Sequence, residues 1–366
     1  MVAHPSDELY GADRILLQVL EAMRTYLHAD VEVWLPDDVP HGEFTLCDEL
    51  SARGIAWRHL GLPVLRRAYM RPAGLYRLAR LALGIRREIR KQRIDILYCG
   101  TSATLIVAML ARLTGVRSRV VHIQERWVGP EAAVLRLLAG SATSRIAISQ
   151  AVADAAGLRR PAPVIVENCV DDAATRATPA DRGDRQITRY VVASRWNWWK
   201  GHATLLEAWE RAGCPGHLTV LGGPPPVGDA VDVPALVDRT VSQPGTVDIV
   251  GEVADIAPYV AEADVLVLPS DQPEPFGLVV IEAFALGRPV IASRGGGPVE
   301  IIEHGRDGWL YELGDAASLA DLLATLTPEE IDAAGRHARA AYDRRFHPDR
   351  YRRQIAEVLS AGLTSP

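Results

Sequence analysis

The sequence predicts an α/β protein of two Rossmann-like domains whose parallel sheets face a central cleft. Three observations carry this prediction. The chain has 366 residues, too many for one ordinary core and a fit for two domains of roughly 150–200 residues each. In both halves short β-branched runs alternate with helical stretches, the signature of parallel strands joined by crossover helices and covered on both faces. A polar, small-residue stretch, DDAATRATPADRGDRQ at 171–186, separates the two series and reads as a linker.

The strands of the first half are read at VEVWLP (31–36), IDILYCG (94–100), SRVVHIQ (118–124), SRIAIS (144–149) and APVIVEN (162–168). Its opening strand is the oddity. Only Met1, Val2 and Ala3 precede the polar HPSDE, so that strand is either very short or incomplete. In the second half the runs RYVVAS (189–194), HLTVLG (217–222), TVDIV (246–250), DVLVLP (264–269) and PVIAS (289–293) alternate with helical stretches such as ATLLEAWERA. The expected boundaries are a first domain at 1–170, a linker at 171–187, a second domain at 188–345, and a helix at 346–366 that crosses back to the first domain.

Composition narrows the function classes. With 48% hydrophobic and 23% charged residues and no low-complexity tract, the chain has the profile of a soluble globular enzyme. The opening MVAHPSDELY lacks the basic and apolar regions of a signal peptide, and the longest apolar run, ATLIVAMLA at 103–111, is far short of the ~20 residues that span a bilayer. A cytoplasmic protein is expected. Cys47, Cys99, Cys169 and Cys214 have no CxxC spacing and no neighbouring histidine cluster, so neither zinc nor a disulfide framework is indicated.

The densest stretch, PSDQPEPFGLVVIEAFALGRPVIASRGGGPVEII at 269–302, holds Glu274 and Glu282 eight positions apart. In open parallel sheets ligands bind beyond the carboxyl ends of the strands, and phosphates favour helix N-termini, where free N–H groups and the dipole meet them. The loop after DVLVLP puts Glu274 at a helix mouth and Glu282 about one turn inside; the RGGGP loop after PVIAS lets a backbone approach a ligand. Carboxylates accept hydrogen bonds from vicinal hydroxyls, so the pair suits a sugar and a ribose. An anionic ligand also needs cations. Arg195 and Lys200, in ASRWNWWKG after the first strand of the same domain, supply them, and Lys200 is one of only two lysines in the chain. The bland alternative is that the glutamates are helix-start acids favoured by the dipole, the two cations ordinary surface charges, and the glycines a turn. For Trp196, Trp198 and Trp199 a packed loop is the preferred reading over a sugar-stacking platform.

Taken together, SRWNWWKG, VDIVGEVADIAPYVAEADVLVLPS, EPFGLVVIEA, GRPVIASRGGGPVEII and DGWLY closely resemble the retaining GT-B glycosyltransferases of glycosyltransferase family four, over essentially all of 189–345. In the first half ELYGADRILLQVL looks like that family's glycine loop, AISQAVADAAG like its interdomain serine motif, and VIVENCVDD like its Asn-Gly-Val-Asp segment, with Cys169 in place of the usual glycine.

The resemblance implies a nucleotide-diphosphate sugar as donor, UDP- or GDP-linked, and no cofactor. It implies that Arg195 and Lys200 bind the diphosphate, that Glu282 holds the ribose, and that Glu274 contacts the donor sugar. The amides of Phe276, Gly277 and Leu278 would complete the pocket, Gly11 would approach from the other domain, and the segment from Val250 and Gly251 to Val253 would flank the base. No metal site is implied, fixed cations standing where a divalent ion would. Retention through a front-face route needs no enzyme nucleophile, so Glu274 and Glu282 are read as binding groups and not as a glycosidase pair. The family's histidine near the reacting sugar corresponds to the stretch VVHIQERW. His122 is a candidate, but strand register could aim Gln124 or Glu125 inward instead, and His122 and Glu125 rank equally.

Residues 51–120 carry fifteen arginines and lysines against Glu88 and Asp95 alone, although the net charge of the chain is -6. In GLYRLARLALGIRREIRKQR, Leu75, Leu78, Ala82, Ile85 and Ile89 form an apolar stripe, with Arg77, Arg80, Arg87 and Lys91 away from it. The preferred reading packs that stripe on the sheet with the arginines solvated. The alternative gives the basic segment 66–93 a peripheral contact with anionic lipid or a phosphorylated acceptor. No aromatic interleaving or recognisable module supports nucleic-acid binding.

The expected function is therefore transfer of a sugar to a glycan, lipid-linked or small-molecule acceptor, with bacterial surface polysaccharide favoured over secondary metabolites. The rival is a catalytically silent binding or scaffold protein.

Overall fold

A computed structural model describes the whole chain except residues 10, 39–44, 67–71, 173–175, 182, 184, 186, 226–229 and 365–366. Parts of the expected linker and of the basic segment fall outside the described residues. The chain divides into two compact units: Met1–Asn168 together with Pro348–Pro366, and Cys169–His347.

The first unit is built on seven parallel strands: β1 (Val2–Ala3), β2 (Glu32–Pro36), β3 (Ala56–Leu60), β4 (Ile96–Cys99), β5 (Ser118–Ile123), β6 (Ser144–Ala147) and β7 (Val164–Ile165). Their order across the sheet is β3-β2-β1-β4-β5-β6-β7. The two-residue β1 lies at the centre. Val2 pairs with Val33 and Tyr98, and Ala3 with Trp34 and Cys99. Tyr98 N–H to Met1 O, Gly100 N–H to Ala3 O and His4 N–H to Trp34 O, each at 3.0 Å, extend the ladder beyond both ends. The opening strand is thus very short and still saturated, because its neighbours supply partners on both sides. β3 escaped sequence reading: AWRHL carries an arginine and a histidine, and as an edge strand it is only half-buried.

The C-terminal helix Pro348–Thr364 belongs to this unit and runs along the helix Gly11–Leu27. Ile355 and Leu359 have no exposed surface and Tyr351 is 2% exposed, so this helix buries its apolar face as a core element does. Arg352 Nε donates to Gln18 Oε1 at 2.9 Å. Gly362 lies so near β5 that a Cβ there would stand 2.7 Å from Ser118 Oγ.

The second unit holds six parallel strands, β8 (Thr188–Ala193), β9 (Gly216–Leu221), β10 (Val247–Gly251), β11 (Val265–Leu268), β12 (Val290–Ser293) and β13 (Gly308–Tyr311), in the order β10-β9-β8-β11-β12-β13. β11, β12 and β13 are buried throughout, as expected for strands covered on both faces. Trp209, Tyr190, Leu205 and Leu319 pack with Val192, Val220 and Ile291 in one core. The described residues of the expected linker lie on this unit rather than bridging freely. Both terminal nitrogens of Arg339 donate to the Asp172 carboxylate, at 2.8 and 2.9 Å, and Ala180 N–H donates to Ala261 O at 2.9 Å.

Candidate functional site

In the second unit the sheet order reverses between β8 and β11, so the crossovers leaving these neighbours run to opposite sides and open a crevice at their carboxyl ends. The loops that emerge there are Ser194–Gly201 after β8 and Pro269–Gly277 after β11. They carry Arg195 and Lys200 on one side and Glu274 on the other, 74 residues apart in sequence for the closer pair. Lys200 Nζ donates to Glu274 Oε1 at 2.6 Å, with side-chain exposures of 18% and 7%.

The ammonium also lies 4.2 Å from the centre of the Trp199 ring, a cation–π contact in a partly desolvated place. The three tryptophans therefore differ. Trp199 supports Lys200, Trp196 packs against the core, and Trp198 is 54% exposed.

Backbone clamps hold the two loops together. Asp271 N–H donates to Trp199 O at 2.8 Å and Thr204 Oγ1 to Asp271 Oδ1 at 2.7 Å. Gly201 has φ +72°, and a Cβ there would stand 1.9 Å from Pro269 O, so only glycine permits this approach. Ser270, fully buried, donates its hydroxyl to Glu274 Oε1 at 2.5 Å, and Ser293 Oγ donates to Ser270 O at 2.7 Å. Sequence reasoning assigned Ser270, Ser293 and Asp271 no role. All three lie inside the motif stretch, but Ser293 reaches Ser270 from the end of β12 and the partners of Asp271, Trp199 and Thr204, follow β8.

The triple glycine has an internal cause that differs from the expected approach to a ligand. A Cβ on Gly296 would lie 1.9 Å from Glu274 O, and one on Gly297 2.4 Å from Phe276 Cα and O. Gly297 N–H donates to Glu274 O at 2.9 Å. The glycines let the loop after β12 lie against the backbone of the loop that presents Glu274. Phe276 turns its ring inward, 3% exposed and edge-on to Phe346 at 6.3 Å. Gly277, at φ +100°, caps the helix Leu278–Ala285; Leu278 opens it, and Glu282, half-buried, follows about one turn in.

Arg195 is half-buried in the loop after β8, beside Gly222, which follows β9 and whose Cβ would stand 2.0 Å from Ser194 O. Gly222 N–H in turn donates to Gly251 O at 2.7 Å. A bulge at the end of β10 turns Val250 outward to 38% exposure and sets Gly251 at φ +93°. Arg195 and the Val250–Val253 segment thus share the carboxyl edge of β8, β9 and β10, continuous with the Lys200–Glu274 pair. A cavity of about 660 Å³, lined by Arg189, Tyr190, His217 and Tyr259, lies instead at the amino ends of β8 and β9. It lies at the opposite strand ends from Arg195, Lys200 and Glu274, and the strand-end logic favours the carboxyl edge.

In the first unit, Gly11 opens the helix Gly11–Leu27, beside a buried group in which His4 Nε2 hydrogen-bonds Asp13 Oδ1 at 2.7 Å and Ser6 Oγ donates to the same oxygen at 2.7 Å. His122 has no exposed surface. Its Nδ1 shares a hydrogen bond with the Tyr98 hydroxyl at 2.6 Å, while its Nε2 is buried with no hydrogen-bond partner among the described residues. Burial lowers its pKa to about 3, so the ring is neutral. His122 thus lies within the core, its ring closed off from solvent.

Glu125 as a residue is exposed, yet its carboxylate turns back to accept from Ser102 Oγ at 2.7 Å and Ser102 N–H at 3.4 Å, and desolvation raises its pKa. Ser102 Oγ also accepts from Trp127 Nε1 at 2.7 Å. Gln124 donates to Gly100 O at 2.8 Å.

Two parallel-sheet units of this strand order define the GT-B class of architecture. Residues 188–328 match the family described as glycosyl transferases group 1.

Among curated proteins, the amylovoran biosynthesis glycosyltransferase AmsK of Erwinia amylovora is 38% identical over 112 residues, covering 29% of this chain and 28% of that protein. The lipopolysaccharide core biosynthesis glycosyltransferase LpsE of Rhizobium meliloti is 34% identical over 122 residues, covering 33% of this chain and 34% of that protein. The chain thus spans about a third or less of the length of these curated relatives. Among solved structures, Anabaena HepE in complex with UDP-glucose superposes with a TM-score of 0.78 at 25% identity, covering 98% of this chain and 99% of that one.

Proposed function

We propose that this chain is a retaining glycosyltransferase that moves a sugar from a nucleotide-diphosphate donor to a glycan or lipid-linked acceptor in bacterial surface polysaccharide synthesis. The observation that carries the reading is the Lys200–Glu274 pair at the β8/β11 crevice, with Arg195 on the same edge. An ammonium has three donors, so Lys200 can keep Glu274 while reaching a diphosphate oxygen. Stabilising the charge that develops on the departing nucleoside diphosphate is the main demand of the reaction. Glu274, anchored by Ser270 and Lys200 through one oxygen, keeps its second oxygen for sugar hydroxyls. Glu282 is assigned to the ribose, Val250 and Gly251 to the base, and the amides of Phe276, Gly277 and Leu278 to the donor.

The leaving phosphate takes the acceptor proton, so no enzyme nucleophile is invoked and Arg195 and Lys200 stand where a divalent ion would. HepE was solved with UDP-glucose, which supports UDP as the base carrier over GDP. The names of AmsK and LpsE support the surface-polysaccharide assignment. In the first unit His122 is the better candidate than Glu125, because a buried Nε2 without a partner costs stability that a functional group justifies. Glu125 is already committed to Ser102.

The helix Pro72–Lys91 supports contact with the inner face of a membrane. Only its Ile85–Ile89 portion is buried, whereas Leu75, Tyr76 and Leu83 are 53%, 72% and 56% exposed beside the exposed Arg80 and Arg87. Among the described residues no helix is long and apolar enough to cross a membrane.

Calorimetric titration with UDP, GDP, ADP and their sugars, with and without magnesium, tests the reading. Selective binding of one nucleotide that persists without metal and disappears in Lys200→Ala is the expected result. Binding of none would favour the silent scaffold.

A further inference from the structure

Three side chains from separate parts of the first unit meet at the carboxyl edge of its sheet. Asp7 lies in the loop after β1, Cys47 in the first turn of the helix Leu46–Ala52, and His59 on β3 opposite Leu35. Asp7 is 1% exposed, Cys47 is 7% exposed, and the His59 side chain keeps 25% of its surface open to solvent. Cys47 Sγ lies 3.0 Å from Asp7 Oδ2 and 3.6 Å from His59 Nε2, and His59 Nε2 lies 3.4 Å from Asp7 Oδ2. Cys47 N–H donates to the other oxygen, Asp7 Oδ1, at 2.9 Å and so orients the carboxylate.

We infer that Asp7, Cys47 and His59 form a three-ligand site for a divalent transition metal of the zinc class. The distances carry this. With bonds of about 2.3 Å to sulfur and about 2.0–2.1 Å to nitrogen and oxygen, two ligands of a tetrahedral ion stand about 3.3–3.6 Å apart. The observed triangle matches one face of that tetrahedron, its Cys47–Asp7 edge being short because the thiol hydrogen now bridges those atoms. Metal entry sends that proton to solvent as the thiolate binds. One thiolate, one imidazole and one carboxylate suit zinc or cobalt and disfavour magnesium and calcium, which take oxygen ligands.

Three protein ligands leave a fourth position for water or another oxygen donor, and the partly open His59 side offers a route of entry. The Asp7–Cys47 N–H bond already supplies the outer-shell support that orients a ligating carboxylate. The ion would tie the β1 loop to β3 and to the helix Leu46–Ala52. Ligands 40 and 12 positions apart form no recognisable spacing, so the cysteine pattern alone gives no sign of the site.

The test uses the full chain, stripped with a chelator and titrated with Co²⁺ alone. The site predicts one equivalent bound, with a thiolate-to-cobalt charge-transfer band and tetrahedral visible bands, all displaced by one equivalent of Zn²⁺. Cys47→Ser should remove the charge-transfer band, and His59→Ala should weaken Zn²⁺ binding at least about tenfold, with circular dichroism establishing that each variant folds. Absence of the band in the wild type, or its survival in folded Cys47→Ser, overturns the inference. If Cys47→Ser does not fold, His59→Ala decides, and unchanged affinity there overturns it as well.

Discussion

Lys200 and Glu274 hold each other at 2.6 Å in a partly buried setting, so removing either leaves the other without its counter-charge. Lys200→Ala should lower kcat by at least about 100-fold, the scale of losing one preorganised charge donor, and should abolish nucleotide binding while the protein stays folded. Wild-type turnover in that variant would refute the diphosphate role. Ser270→Ala is milder in prospect. It frees Glu274 from a bond to the β11 loop and should raise the donor KM more than it lowers kcat, a split that steady-state kinetics resolves. Gly296→Ala is a different experiment, because φ +73° alone costs more than about 1 kcal/mol for a residue with a Cβ, and the added carbon overlaps Glu274 O. It should lower the second unit's melting temperature and donor affinity together. Loss of affinity without loss of stability would show that glycine serves the ligand directly.

At the scale of elements, the β8 and β11 loops act as one body because Gly201, Asp271 and Thr204 lock them across the sheet. The helix Pro72–Lys91 illustrates the limit of periodicity. A stripe through Leu75, Leu78, Ala82, Ile85 and Ile89 is visible in sequence, but burial follows it only at Ile85 and Ile89, while Leu75, Tyr76 and Leu83 remain outside. Apolar spacing marks one face of a helix and says nothing of what covers that face. Leu75→Glu combined with Leu83→Glu should reduce co-sedimentation with anionic vesicles at low salt while leaving turnover on a soluble acceptor unchanged. Unaltered sedimentation would remove the membrane assignment from this helix.

For the whole molecule, the helix Pro348–Thr364 completes the first unit although it follows the second in sequence. Leu359→Ala, at a site with no exposed surface, should destabilise that unit by about 2–5 kcal/mol, readable as a lowered denaturation midpoint.

Two buried histidines set an acid limit. Burial depresses His122 to about 3 and His202 to about 4, below the ordinary value of 6.5. Between those values the unfolded chain binds protons that the folded chain does not. The stability held above about pH 6.5 is therefore lost as pH falls, at up to about 1.4 kcal/mol per pH unit for each histidine. His122→Asn should flatten the fall of melting temperature between pH 6.5 and 4; an unchanged slope would assign the acid limit to other groups.

Most strands and the chemistry-bearing loops were legible because parallel strands buried on both faces read as β-branched runs and their carboxyl ends carry Gly, Pro and polar residues. The alternation of elements and the residue types at the strand ends thus determined by themselves the two-sheet class and the group of residues around Arg195, Lys200, Glu274 and Glu282. The two-residue β1 was legible only as a strand either very short or incomplete, while β3 and β13 were not legible as strands, because an edge strand has no continuous apolar run and a four-residue strand gives little period. Only the tertiary structure decided that Lys200 meets Glu274 directly, that Gly296 and Gly297 serve a loop-to-loop approach, that His122 lies in the core, and that Asp7, Cys47 and His59 converge. The physical reason is one of range. Periodicity and turn chemistry act over a few residues, whereas each of these arrangements brings together residues distant in sequence that the order of the sheet makes neighbours.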